Sequence, residues 1–129
     1  IHTHSTHCVA LTLSGTGDEL LPALTPYFVM KVGHVPRIHY HRPGAPEAAV
    51  EVARVIAQRG TAGVPIRAAM LDRLGPNVWH DTPAAAMAVL EELEETARLH
   101  LMTRDHATPP APLSPEQIDE LRSTFGARW

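Results

Sequence analysis

Cysteine is almost absent from this chain of 129 residues: Cys8 is the only one, so no disulfide can form within the chain. A lone cysteine is typical of a reducing compartment, and we therefore expect a cytoplasmic protein. Lysine is equally rare, because Lys31 stands beside ten arginines scattered along the sequence. This scatter, with a net charge of −3, argues against a nucleic-acid surface. No apolar run is long enough to cross a bilayer, and no leader pattern opens the chain.

The best-defined helix is predicted after Thr82 and Pro83, where apolar residues recur at helical spacing. This apolar stripe consists of Ala86, Leu90, Leu93, Ala97 and Leu101. The residues from Glu91 to Glu95 are interpreted as a solvated face, on which Glu94 and Arg98 form a surface ion pair. The sequence therefore assigns no function to the glutamate cluster.

Two further helices are predicted from their end signals. Pro46 fits a first helical position and opens an amphipathic stretch that Gly60 ends. Ser114 begins an S-x-x-Q capping box and predicts a helix over 114–125. Residues 107–113, rich in proline, are predicted to form an extended linker to that last helix.

Shorter segments complete an alternation of helices and strands. The stretch THCVALTLS predicts a short helix before Gly15, and LTPYFVMKV predicts a buried one that Gly33 stops. RIHYHR predicts a strand that ends at Arg42 before a proline. Residues 62–81 predict two short strands joined by a turn at Gly75 and Pro76. This alternation is typical of the α/β class, with the direction of the strands left open.

Three histidines fall in the opening sequence IHTHSTH. On a strand, His2 and His4 project from one face and can converge on one ion, while Thr3 points away. Zinc suits such a pair because its imidazole bonds are short and its sites are tetrahedral. The pattern is weak by itself, since His39 and His41 repeat it and ordinary surface histidines also produce it.

Five motifs, taken in order and at their separations, resemble the class II aldolase/adducin family. They are HTHSTHCVAL, LTPYFVMKVGHVP, YHRPG, EELEETARL and LSPEQIDELRSTFG. The resemblance is greatest to the branch that decarboxylates 3-oxo-tetronate 4-phosphates, with fuculose-phosphate aldolase and ribulose-phosphate 4-epimerase as more distant relatives. It covers nearly the whole chain and is far more specific than the histidine spacing.

The resemblance implies a three-layer α/β/α fold around a mixed, mostly antiparallel sheet, with residues 1–129 as one partial, C-terminal domain. It implies a homotetramer and a metal-dependent lyase that decarboxylates, or cleaves by retro-aldol reaction, a small phosphorylated sugar acid or sugar phosphate through a metal-stabilised enediolate. A divalent ion, usually zinc, would be held by His2, His4 and a third histidine. Tyr27 stands where the aldolases carry a tyrosine that acts as an acid.

Leu74 departs from the family pattern, because it stands in DRLGPNVWHD where the family has the third histidine of an N-H-G turn. Leucine cannot bind zinc, and His80 is the candidate to replace it. The family's acidic residue and phosphate-binding loop lie upstream of the H-x-H motif, so we expect a fragment or a truncated product. Two functions stay open: the lyase, and a non-catalytic relative that keeps the fold for self-assembly, as adducin does.

Overall fold

Helices and strands alternate along the chain in the computed structural model, which describes all residues from 1 to 129. The elements are α1 (Thr6–Ser14), a π-helix (Phe28–Val32), β1 (Arg37–Ile38), α2 (Pro46–Thr61), β2 (Ala68–Leu71), β3 (Gly75–Val78), α3 (Pro83–Thr103) and α4 (Pro115–Phe125). No helix is both long enough and apolar enough to cross a membrane. The predicted α/β class is confirmed.

The sheet is mixed, with its three strands in the order β1-β2-β3. β1 runs parallel to β2, and β2 runs antiparallel to β3. The first residues of the chain lie on the free side of β3, where His2 forms an isolated antiparallel bridge with Asn77. The amino group of Ile1 donates to the carbonyl of Val78 at 2.7 Å. Most pairings are therefore antiparallel, as the resemblance implied.

The core lies between one face of the sheet and the layer formed by α1, α3 and the π-helix. Its fully buried side chains include Cys8, Phe28, Met70 and Leu93. α2 belongs to the opposite layer, where its small residues line a groove with Leu71 and Asn77. The three layers are therefore unequal, because α2 has no buried residue.

The helix ends follow the predicted signals. Thr82 accepts a hydrogen bond from the backbone N–H of Ala85 at 3.1 Å and caps α3. Both hydrogen bonds of the Ser114 capping box are present at the start of α4, and Gly126 ends that helix in the left-handed conformation (φ 67°). Residues 107–113 form no helix or strand.

The buried helix before Gly33 has a wider turn than expected. The N–H of Gly33 donates to the carbonyl of Phe28, five residues earlier, at 2.9 Å, which is the π-helix pattern. Gly33 itself has φ 80°, a value that favours glycine and stops the helix. The predicted helix is confirmed, and its π-helical hydrogen bonding is a difference.

The strand predicted to reach Arg42 is wrong beyond Ile38, where β1 ends. β1 is held by β2 through the pairs Arg37↔Met70 and Ile38↔Leu71. After Leu71 the chain turns, and only the N–H of Asp72 still reaches back to Ile38, at 3.0 Å. Residues 39–42 therefore have no neighbouring strand with which to pair.

The predicted turn at Gly75 and Pro76 is also displaced. The turn consists of residues 72–74, and Gly75 and Pro76 begin β3. Pro76 is tolerated in the sheet because the N–H of Met70, its partner across β2, donates to Pro36 at 2.9 Å. The backbone of Pro76 faces the opening segment, where its carbonyl accepts the N–H of Thr3 at 3.4 Å, so the ladder with β2 needs no N–H from the proline.

Candidate functional site

His2 and His4 lie on the same face of the opening segment. Their rings are exposed, while Thr3 between them is half-buried. The ring centroids are 5.4 Å apart, with the ring planes at 75°. These two residues, called the H-x-H pair below, therefore have the side-by-side arrangement that their spacing predicts.

The ring of His2 is fixed by the backbone of β3. Its Nδ1 lies 3.1 Å from the carbonyl oxygen of Pro76. A carbonyl oxygen only accepts, so this contact requires the proton on Nδ1, and in the neutral imidazole the lone pair is then on Nε2. An oriented imidazole with one nitrogen bonded to a backbone carbonyl is the usual state of a metal-binding histidine.

His4 borders an open cavity of about 490 Å³ between α1 and the turn that precedes β3. The residues around it, called the His4 pocket below, are His4, Thr6, Val9, Ala10, Leu13, Arg73 and Leu74. The α1 members recur at helical spacing, so one face of the helix forms one wall. Apolar side chains provide most of this lining.

The turn is held against α1 and the opening segment by two close contacts. The N–H of Arg73 donates to Thr12 Oγ1 at 2.9 Å. Gly75 has φ 144°, and a β-carbon at this position would lie 1.8 Å from the carbonyl oxygen of Thr3. Only glycine therefore allows β3 to approach the H-x-H pair so closely. Together these contacts place Leu74 in the His4 pocket.

The donor set around the H-x-H pair is incomplete. Leu74 lines the same pocket as His4, and its side chain has no donor atom that could serve as a third ligand. No group of three or more His, Cys, Asp or Glu side chains is arranged to hold a metal ion. The residues present therefore match half of a tetrahedral zinc site and do not fit a complete one.

His80 lies apart from the H-x-H pair. Because His2 is opposite Asn77 in an antiparallel bridge, the chain that continues from Asn77 to His80 runs away from His4. His80 borders a different cavity, together with Trp79, Arg67 and Arg128. Its Nδ1 accepts the N–H of Asp81 at 2.8 Å. The structure does not bring His80 into the predicted ligand set.

Tyr27 lies at the surface, immediately before the π-helix, with 60% of the residue exposed. The Nζ of Lys31 lies 5.1 Å from the centre of its ring, a cation–π distance. Tyr27 does not line the His4 pocket. Its role as a proton donor stays a prediction.

Glu94 contacts the start of α1, a function that sequence reasoning missed. Its Oε1 accepts the N–H of His7 at 2.9 Å and lies 2.8 Å from His7 Nδ1. Its Oε2 accepts the N–H of Cys8 at 3.1 Å. The predicted surface pair with Arg98 is therefore wrong, and Arg98 pairs with Glu95 at 3.5 Å instead.

The burial of Glu94 and its hydrogen bonds act on its pKa in opposite directions. Burial raises the pKa of the carboxyl group, but the hydrogen bonds from His7 and Cys8 outweigh it, so the pKa of Glu94 lies below its ordinary value. The pKa of the Cys8 thiol is raised, first by burial and then by Glu94. Cys8 is therefore an unreactive thiol.

A signal for Glu94 was present in the spacing of α3. Glu94 follows Leu90 by four residues and precedes Ala97 by three, so it flanks the buried stripe of the helix. A glutamate in that position faces a neighbouring element and needs a donor there. The partner, 86 to 87 residues away in sequence, was not predictable from helical periodicity.

Comparison with known proteins gives a consistent result. The family described as Class II Aldolase and Adducin N-terminal domain matches residues 1–101. A 3-oxo-tetronate 4-phosphate decarboxylase of Cupriavidus necator is 50% identical over 135 residues, covering 100% of this chain and 58% of that protein. The protein of the same name from Escherichia coli K12 is 36% identical over 125 residues, covering 95% of this chain and 55% of that protein.

Solved structures share the fold. YgbL from Escherichia coli superimposes with a TM-score of 0.80 at 35% identity, covering 94% of this chain and 55% of that chain. An L-fuculose 1-phosphate aldolase gives a TM-score of 0.76 at 24% identity, covering 97% of this chain and 54% of that chain. The chain thus spans little more than half the length of the proteins it matches.

Proposed function

Because this chain belongs to the class II aldolase/adducin family, we propose that it is part of a lyase that acts on a phosphorylated sugar acid. The relatives named 3-oxo-tetronate 4-phosphate decarboxylases supply the substrate class. The H-x-H pair carries the proposal, because its imidazoles lie side by side and the bond from His2 Nδ1 to a backbone carbonyl leaves Nε2 as the ring nitrogen available to a metal ion. Two such donors are the start of a divalent metal site, with zinc the usual ion.

The chain's own residues prepare this site without completing it. The carbonyl of Pro76 orients His2, and Gly75 lets β3 lie against the opening segment. Since Leu74 supplies no donor, the residues of this chain do not complete a set of metal ligands. Tyr27 is exposed, as a proton donor would be if it acted at the site of another subunit. The proposal includes assembly as a homotetramer and a cytoplasmic location.

A non-catalytic role is the second candidate, and Leu74 is the observation that favours it. The residue lies in the His4 pocket, beside the histidine that it would have to assist. A family member in which a metal-binding residue has been replaced retains the fold and can still form oligomers. The two candidates differ in whether this chain binds a metal ion.

Metal content of the purified chain, measured by elemental analysis after dialysis, separates the candidates. Leu74→His would restore a third imidazole beside His4, whereas Leu13→His would add one to the opposite wall of the same pocket and serves as the control. Stoichiometric zinc in the unchanged chain would support the lyase. Zinc only in Leu74→His would support the non-catalytic candidate. Zinc in neither would overturn the metal site, and a decarboxylation assay with a 3-oxo-tetronate 4-phosphate accompanies each measurement.

A further inference from the structure

α1 begins two residues after His4 and has no cap from its own sequence. Ser5 stands at the N-cap position, but its side chain accepts no hydrogen bond from the helix. Its Oγ instead lies 2.6 Å from Thr3 Oγ1. The first N–H groups of a helix require acceptors, and a helix of 9 residues that lacks them frays readily.

Glu94 supplies those acceptors from α3. Its two carboxylate oxygens accept the N–H groups of His7 and Cys8, in the first turn of α1. The negative charge also lies at the positive end of the helix dipole. The Glu94 side chain is 23% exposed, so water competes weakly for these bonds. One side chain therefore does for α1 what an N-cap residue normally does.

We propose that Glu94 is a positioning residue of the H-x-H pair, which fixes His4 by holding the start of α1. The functional meaning of this role rests on the proposed function. Hydrogen bonds anchor the chain on each side of His4, at His2 through Pro76 and at His7 through Glu94. His4 thus lies in a short segment that is held by hydrogen bonds at both ends, at His2 and at His7. Loss of the bonds at either end would increase the mobility of the His4 ring.

Glu94 acts through the backbone and is not itself a ligand. Both of its oxygens are engaged by α1, and it does not line the His4 pocket. The His7 ring contacts Glu94 and is also absent from that pocket. His7 therefore belongs to the anchor and not to the candidate site.

The test compares Glu94→Gln with Glu95→Gln. Glutamine retains the size of Glu94 but has one acceptor oxygen, and Glu95 is an exposed neighbour on the same helix, with 64% of its side chain accessible. Amide hydrogen exchange at His7 and Cys8 and the NMR signals of the His4 ring are measured without metal. We expect Glu94→Gln to accelerate exchange of these two amides about fivefold and to broaden the His4 signals, as loss of a cap requires. Glu95→Gln should change neither.

The second measurement is titration with zinc chloride in the Leu74→His chain, followed at the ring signals of the H-x-H pair. Glu94→Gln should weaken zinc binding about tenfold, as loss of a supporting contact does, and Glu95→Gln less than twofold. If Leu74→His binds no zinc, the metal part of the proposed function fails, and exchange and the His4 signals alone decide the role of Glu94. Equal exchange and equal His4 signals in both variants would overturn it. So would a uniform rise in exchange across α1 and α3, which indicates general destabilisation.

Discussion

Arg73 holds a left-handed backbone conformation, with φ 65°, that residues other than glycine, asparagine and aspartate rarely adopt. Its N–H donates a hydrogen bond to Thr12 Oγ1, and this bond holds the turn in its unfavourable conformation. We expect Arg73→Asn to stabilise the fold by about 0.5–1 kcal/mol, because asparagine tolerates this region better. Urea unfolding measures the gain. Arg73→Ala retains the unfavourable conformation and should give none; an equal gain there would attribute the effect to removal of the charge.

Gly75, the first residue of β3 after this turn, also has a backbone conformation that residues with a side chain rarely adopt. Gly75→Ala would place a β-carbon 1.8 Å from the Thr3 carbonyl oxygen. We expect a loss of more than about 2 kcal/mol in the free energy of unfolding, because the opening segment must move away from β3. Gly17→Ala is the control, since Gly17 has a similar φ of 149° but nothing within 4 Å of the added carbon. If both variants lose the same stability, the backbone conformation and not the close approach is responsible.

At the level of single residues, the sequence predicted what depends on near neighbours. The spacing of His2 and His4 predicts that both side chains lie on one face of the opening segment, and their rings do lie side by side there. His80 lies away from His4 because of the strand register, which the spacing does not encode. Glu94 was missed for a related reason, since its partners lie in another helix, α1, that is distant in sequence.

Among the elements, α1 depends on the charge of Glu94. Because the pKa of Glu94 in the folded chain is below its ordinary value, near 4.5, its contribution to stability is complete above that value and is lost as the pH falls through the folded pKa. We expect α1 to loosen in acid, before the rest of the fold. Glu94→Gln should flatten the fall in unfolding free energy that begins as the pH drops below the ordinary carboxyl value.

Chemical denaturation at a series of pH values checks this. Glu95→Gln removes one charge from the same helix without touching α1 and serves as the control. An acid dependence unchanged by Glu94→Gln would show that other carboxylates dominate.

Element ends were predictable where the signal is local. Thr82 and Ser114 bond to residues three positions ahead, and both helices begin there. The length of β1 was overestimated because a strand extends only as far as its partner pairs with it, and the chain turns away after Leu71 of β2. The wider hydrogen bonding before Gly33 has no counterpart in hydrophobic periodicity.

For the whole molecule, the side of the sheet that carries α2 is covered far less than the side that carries α1 and α3. α2 buries none of its residues, and Val50 and Ile56 are 68% and 40% exposed. The backbone hydrogen bonds to β3 come from Ile1 and Thr3, whereas the N–H and carbonyl of His2 between them form none, so an unpaired edge lies there. We expect the isolated chain to self-associate with rising concentration.

Light scattering across a concentration series measures this association. Val50→Glu with Ile56→Glu should reduce it while leaving the circular dichroism spectrum unchanged, because neither residue supports the core. Gln58→Glu adds charge to the same helix without removing apolar surface and should have little effect. A monomer at every concentration would contradict the prediction.

The anchors of the opening histidines lie far along the sequence: His2 bonds a residue 74 positions later, and His7 one 87 positions later. Bringing such distant segments together costs chain entropy before any contact compensates for it. During synthesis, therefore, the opening histidines are made well before the residues that hold them. Their contacts with Pro76 and Glu94 form only after β3 and α3 have been translated, so the candidate site is assembled late relative to its own histidines.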